Sequence, residues 1–387
     1  MGLPRSKYVK DGQEGVYHCF SRCVRRAFLY GYDALTNRDF SHRKAWLVDR
    51  LQYLAGVFAI EVCAYAILLN HYHTILRTRP DIVATWSDWE VATRWLILFP
   101  QHRAIGKAVT LPAEDEIRAL ANRPERIAQL RKRLCSLSWF MGQLNEFIAR
   151  AANKEDGVKG RFWESRFKCQ ALLDEAAIAA CMVYVDLNPI RAGLATTPED
   201  SDFTSIQERI RAWQNLPDST KAEPDIPRGA CGRNQLMPPD EGETSRPVSE
   251  CMSAINPSLD GPSPSALWLC PISSESQRRG ILQMTAAEYF DLVDKSGRMI
   301  RADRRGAIDA ELAPILMRIG AKPEAWIETI SRFGTKFRLA AGLLSNLRSF
   351  ALKLGQRWLT GITTARSAFT ALPPQMAQTM TALMTAT

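Results

Sequence analysis

Residues 59–77 read AIEVCAYAILLNHYHTILR. Two runs, 59–69 and 72–77, are apolar and β-branched enough to form strands, with Asn70 and His71 near their junction. Side chains alternate along a strand, so His71 and His73 point to one face and their imidazoles can share a metal ion. An HxH pair on a strand is also a common incidental pattern, and it decides nothing by itself.

Working outward, residues 14–24, EGVYHCFSRCV, alternate as a strand does. Residues 39–58 carry Trp46, Leu47, Leu51, Leu54 and Val57 at helical spacing. The first 80 residues thus read β-α-β-β, the start of an α+β fold in which helices pack on an antiparallel sheet. Residues 81–130 read as an inserted helical stretch and 134–152 as a further helix. RFWESRFK, at 161–168, reads as a basic, aromatic strand or hairpin arm. Residues 174–188 form a helix with acidic residues at its start, ended or kinked by Pro189. Residues 213–280 are rich in Pro, Ser, Gly and acid and read as a linker, and 281–387 as an all-helical region with a frayed end.

The 387 residues carry a net charge of +9, which favours an anionic partner, most often nucleic acid. The charge is interspersed, with 30 basic and 24 acidic side chains in residues 1–212. Nine scattered cysteines fit reduced cytoplasmic usage rather than a disulfide framework. No run of about 18 apolar residues is present, so no membrane partner is expected.

Tyr184 and Asn188 stand four apart on the 174–188 helix, on one face. A tyrosine phenol, with a pKa of about 10, is a poor nucleophile near neutrality and needs a metal-polarised electrophile. Asn188 offers a neutral oxygen suited to Mg²⁺ or Mn²⁺. The same two residues fit equally a core tyrosine and a helix-end cap. Arg161, Trp163, Arg166 and Lys168 combine phosphate-binding cations with a ring that stacks on unpaired bases. Arg22, Arg25 and Arg26 flank the first strand and join the same surface. For each cation a solvated face is the plain alternative. Arg332, Lys336, Arg338 and Arg348 fit either duplex DNA contact or the solvated side of a helical bundle.

Taken in order, GVYHCFSRCVRR, LNHYHTIL, FWESRFKC and YVDLNPIRAGLA resemble the REP-associated tyrosine transposases, a branch of the single-tyrosine HUH transposases. The resemblance covers about residues 8–212. It implies an HUH-type two-layer sandwich, and Tyr184 as nucleophile. His71, His73 and Asn188 become metal ligands for Mg²⁺ or Mn²⁺, and Arg191, in the RAG string, joins the DNA-contacting residues. It further implies single-stranded or hairpin DNA as substrate, a 5′-phosphotyrosine intermediate, a monomer or homodimer, and a bacterial cytoplasmic location at the nucleoid. Leu69 stands where the family has proline before Asn-His, and residues 81–130 and 213–387 have no assigned counterpart. A hairpin-DNA binder without transposition, a nuclease using water in place of Tyr184, and an adaptor with an incidental basic surface are the competing readings.

Overall fold

A computed structural model describes residues 3–24, 30–33, 37–100, 112–215, 268–274, 279–301 and 312–370. Its centre is a five-stranded sheet. Strands β1 (Gly15–Arg22), β4 (Ile60–Ile67), β5 (His71–Thr78) and β6 (Lys168–Leu172) are antiparallel, and β7 (Ala340–Ala341) adds to the edge in parallel, giving the order β4-β5-β1-β6-β7. Two short strands, β2 (Tyr32–Asp33) and β3 (Arg38–Asp39), pair apart from it. The strands expected at 14–24, 59–69 and 72–77 are present.

Register gives each face its character. Phe20 lies opposite His73 and Lys168, and His18 lies opposite Ile75 and Gln170. One face therefore carries Arg22, Phe20, His18, His71, His73, Lys168 and Gln170. The other carries Cys19, Ser21, Tyr72, Leu76 and Cys169. On this second face pack α1 (His42–Val57) and α6 (Leu137–Asp156). Leu47, Leu51 and Leu54 of α1 are fully buried, as the 3.6-residue period requires. The Tyr72 hydroxyl donates to Asn145 Oδ1 at 2.8 Å, and Asn145 Nδ2 donates to Ser21 Oγ at 3.2 Å, which pins α6 across two strands. The insertion forms α2 (Pro80–Thr85), α3 (Asp88–Leu98), α4 (Glu114–Ala121) and α5 (Pro124–Leu134).

The histidine face is covered by α7 (Glu175–Asp186). Asp174 caps this helix by accepting from Ala177 N at 3.1 Å, and its other oxygen accepts from Leu343 N at 2.6 Å and Asn346 Nδ2 at 2.9 Å. One carboxylate thus starts a helix and anchors the chain leaving β7. The short α8 (Asn188–Arg191) and α9 (Ser205–Gln214) follow. Beyond them lie α10 (Ala286–Arg301), α11 (Leu312–Arg318), α12 (Pro323–Ser331), α13 (Phe333–Lys336), α14 (Leu344–Lys353) and α15 (Ile362–Ala368).

Three expectations change. RFWESRFK is not a strand over its length: only Lys168 enters β6, and the residues before it form an irregular segment. That segment meets the end of β1 through the Cys23–Trp163 bridge, with Glu164 N donating to Arg22 O at 2.9 Å and Val24 N to Phe162 O at 3.0 Å. Phe162 and Phe167 are buried and hold that segment down. The stretch expected as linker lies mostly outside the described residues, but its end pairs with the core. Cys270 N donates to Val62 O at 2.9 Å, and Arg77 Nη1 donates to Gly280 O at 2.9 Å. Finally, the C-terminal region contributes β7 and is not purely helical, because Ala171 N donates to Leu339 O at 3.0 Å at an open sheet edge. No helix among the described residues is long and apolar enough to cross a membrane.

Asp186 ties these layers together. It is fully buried, accepts from Ser205 Oγ at 2.6 Å and from the Tyr289 hydroxyl at 2.5 Å, and burial raises its pKa to about 6. A carboxyl that keeps its proton to higher pH when folded stabilises the fold below its unfolded pKa. That contribution, about 3 kcal/mol, fades as pH rises from about 4 to about 6. The stability difference between wild type and Asp186→Asn, measured by urea denaturation, will therefore shrink from pH 4 to pH 6.5. A difference constant across that range would show that Asp186 ionises normally in the folded chain.

Candidate active site

His71 opens β5 and His73 lies two residues on, so the strand's alternation brings both to the α7 side, with ring centroids 5.1 Å apart. His71 Nδ1 meets Asn70 Oδ1 at 2.6 Å. His73 Nδ1 meets His18 Nε2 at 2.9 Å, and His18 Nδ1 meets Gln170 Oε1 at 3.3 Å. With Asn70 Oδ1 and Gln170 Oε1 as the acceptors, the protons are assigned to the nitrogens that face them; the Gln170 NH₂ group is itself buried with no hydrogen-bond partner among the described residues. His18 carries its proton on Nδ1 and presents a lone pair at Nε2. His73 then donates from Nδ1, as His71 does, and both rings keep an unprotonated Nε2.

Burial keeps all three rings neutral. It lowers His18 to a pKa of about 4, helped by no cation, since Gln170 acts in the opposite sense. Burial and then the Arg22 charge lower His71 to about 4. His73 falls well below the usual range through burial, the two neighbouring imidazoles, Arg191 and Arg22.

Sequence reasoning missed His18 and Gln170. The signal was present in the alternation of residues 14–24, which puts His18 on one face with Phe20. The cross-strand register that sets it beside His73 is not readable from one strand.

Tyr184 sits edge-on to His73 and His18, at centroid distances of 5.7 Å and 6.0 Å. It and Asn188 do not share one helix: α7 ends at Asp186, and Asn188 opens α8, where Pro189 tolerates its missing N–H. Leu187 between them stays near helical geometry, with φ −86° and ψ 2°, so the two side chains remain neighbours. Burial raises the Tyr184 pKa, while Arg191 and Asn188 act to lower it. The Arg191 guanidinium lies 4.9 Å over the Tyr184 ring and donates to Ser331 O. The Asn188 NH₂ group is buried and makes no hydrogen bond of normal geometry among the described residues. Phe333 packs 5.9 Å from the Tyr184 ring, and a Cβ on Gly334 would stand 2.9 Å from the phenol oxygen.

The other candidates divide. Arg22 is opposite His71, Lys168 is exposed at the start of β6 with Nζ 5.7 Å over the Phe20 ring, and Arg191 is described above. These three border the site. Arg161 and Arg166 are exposed on the irregular segment. Trp163 lies with the opposite face, edge-on to Tyr72 at 5.6 Å and donating to Asn145 O at 2.8 Å, so it is not brought to the histidines. Arg25 and Arg26 lie outside the described residues.

The described residues hold no group of three or more His, Cys, Asp or Glu arranged for a metal. Of the donors expected for a cation, His71 and His73 lie side by side, and Asn188 neighbours Tyr184, whose ring meets His73. Imidazoles that ligate a metal almost always donate their other ring N–H, as both do here. No protein-family model matches the chain, and no curated protein matches it. Among solved structures, one of a REP-associated tyrosine transposase bound to a REP hairpin is similar at 15% identity and a TM-score of 0.33, over 56% of this chain and 89% of that one.

Nitrogen-detected NMR on ¹⁵N-histidine protein at pH 7 will show His18, His71 and His73 as neutral Nδ1–H tautomers. They will remain neutral to below pH 5. A His73 proton on Nε2 would mean that the Gln170 amide is reversed and that no lone pair is available there.

Proposed function

We propose that the chain cuts and rejoins single-stranded or hairpin DNA through a covalent link to Tyr184, with a divalent metal held by His71, His73 and Asn188. The observation that carries this reading is the His71–His73 pair on one sheet face, each with Nδ1 engaged by a neighbour, and the partly buried Tyr184 ring edge-on to His73. The resemblance of YVDLNPIRAGLA and LNHYHTIL to the REP-associated transposases points the same way.

Mg²⁺ or Mn²⁺ at this donor set supplies Lewis-acid polarisation of the scissile phosphate. All three donors are neutral, so the protein leaves the cation's charge to meet the phosphate rather than a carboxylate. Tyr184 Oη attacks phosphorus, the Oη–P bond forms, and the P–O3′ bond breaks in line. The phenol loses its proton and the departing 3′ oxygen gains one. Arg191, over the ring, favours the phenolate against the burial that raises its pKa. The 5′-phosphotyrosine conserves the energy of the broken phosphodiester, so attack by a 3′-OH rejoins DNA without a nucleotide cofactor. Arg22 and Lys168 border the approach and suit the flanking phosphates.

Incubation with Mn²⁺ and labelled hairpin DNA, followed by a denaturing gel, will give a protein–DNA adduct that Tyr184→Phe abolishes. His71→Ala and His73→Ala will each reduce adduct formation at least 100-fold while binding of the uncut hairpin persists. Cleavage that survives Tyr184→Phe without an adduct would assign the site to a water-using nuclease. Hairpin binding with neither cleavage nor adduct would assign it to a DNA-binding role.

A further inference from the structure

After Glu328 the chain contains seven Lys or Arg residues and no Asp or Glu, against a net charge of +9 for the whole. This acid-free segment of 59 residues thus carries +7, more excess than the whole of residues 1–212 (30 basic, 24 acidic), and it begins on Tyr184. Gly334 is exposed and within van der Waals reach of the Tyr184 oxygen. Two residues on, the Lys336 carbonyl lies 3.3 Å from where a Cβ of Gly361 would stand, so the loop after α14 returns beside α13. Phe337 stacks on Phe369 at 5.9 Å and holds α13 and α15 together.

The outer side of this unit combines charge with uncovered apolar groups. On α14, Leu347 and Ala351 are buried, and Arg348 and Leu352, four apart, share an adjacent, exposed face. Leu352 is 77% exposed and Trp358 is 59% exposed. Lys353 and Arg357 stand beside them in the sequence and are also exposed. Arg348, Lys353 and Arg357 have no ion-pair partner among the described residues, whereas Lys336 meets Glu328 at 3.2 Å. A helix face that shows leucine and arginine together, next to an exposed tryptophan, loses apolar burial unless something covers it.

We propose that this surface binds the single-stranded DNA flank leaving the Tyr184 site, with Arg348 and Arg357 on phosphates and Trp358 stacked on a base. Phosphate-tracking cations with an exposed ring are what unpaired strands require, whereas duplex DNA offers no base face to Trp358. An anionic lipid surface would also accept cations and tryptophan. The continuity through Gly334 to Tyr184 favours DNA, since a strand held there is already at the site of attack. The proposal takes its direction from the strand-transfer reading and is tested apart from it.

Fluorescence anisotropy with full-length protein and labelled (dT)12 separates the two, because it needs neither cleavage nor a hairpin. Wild type and Tyr184→Phe are expected to bind (dT)12 alike. Arg348→Glu/Arg357→Glu will weaken binding at least 10-fold and Trp358→Ala about 5- to 50-fold. Arg348→Lys/Arg357→Lys will retain binding, and circular dichroism will confirm that each variant is folded. The salt dependence of log Kd will drop by about 1.4 in the double charge reversal. Binding of (dT)12 unchanged in the folded variants, or none by wild type, overturns the proposal. So does a loss confined to phosphatidylglycerol vesicles. An absent Tyr184 adduct, with the variants still weakening (dT)12, would sink the strand-transfer reading and leave this surface standing.

Discussion

The structure depends on the register of β1 between β5 and β6. Side chains along a strand alternate, so a slip of one residue would send His18 to the opposite face and replace it with Tyr17 or Cys19. In the observed register Gln170 lies opposite His18 and His73 diagonally across from it on β5, so a hydrogen-bonded chain runs from Gln170 through His18 to the His73 ring. Register is in turn held by burial on both sides. Cys19, Tyr72 and Leu76 are sealed beneath α1 and α6, and the histidine row is sealed beneath α7. A strand buried on both faces has no free energy to gain from slipping, and every buried polar group it carries would lose its partner.

That arrangement also sets the electrostatics. The sheet interior under α7 is made of imidazoles and a phenol, whose pKa values burial shifts toward the neutral form, together with two amides that carry no charge. Cations stand only at the border, as Arg22, Lys168 and Arg191. A neutral interior with a positive rim attracts a polyanion without neutralising a metal cation placed inside. Asp186, two residues from Tyr184, follows the same rule: its carboxyl is buried away from the rim, hydrogen-bonded to Ser205 and Tyr289, and kept largely protonated below pH 6. It serves to hold α7 against α9 and α10 rather than to act on the phenol.

Much of this was legible in the sequence where a local period decides the outcome. The strands at 15–22, 60–67 and 71–78 and the helices at 42–57 and 137–156 follow from alternation and 3.6-residue spacing. The shared face of His71 and His73 follows from the same alternation. The illegible parts are those fixed by long-range pairing. His18 meets His73 across 55 positions, and Ala171 meets Leu339 across 168. RFWESRFK looked like a strand because its residues favour one, but Phe162 and Phe167 turn inward at a spacing that no single strand face allows. Trp163 carried the chemistry of a base-stacking residue, yet its N–H found Asn145 O and its ring found Tyr72. Residue type alone could not say which side of the sheet would receive it.

The C-terminal region changes what the core is able to do. Without α12 and α13 the Tyr184 ring would face solvent on the side now held by Phe333, and Arg191 would lose its bond to Ser331. The phenol's pKa rises with burial, so the covering elements make Tyr184 a weaker acid in the absence of a charge to offset them. Arg191, already over the ring, offsets part of that burial. The glycine at 334 makes the close cover compatible with access, because a side chain there would meet the phenol oxygen itself. The cover and the acid-free surface belong to one segment of chain, so the element that packs on the Tyr184 ring through Phe333 also carries the exposed cations Arg348, Lys353 and Arg357.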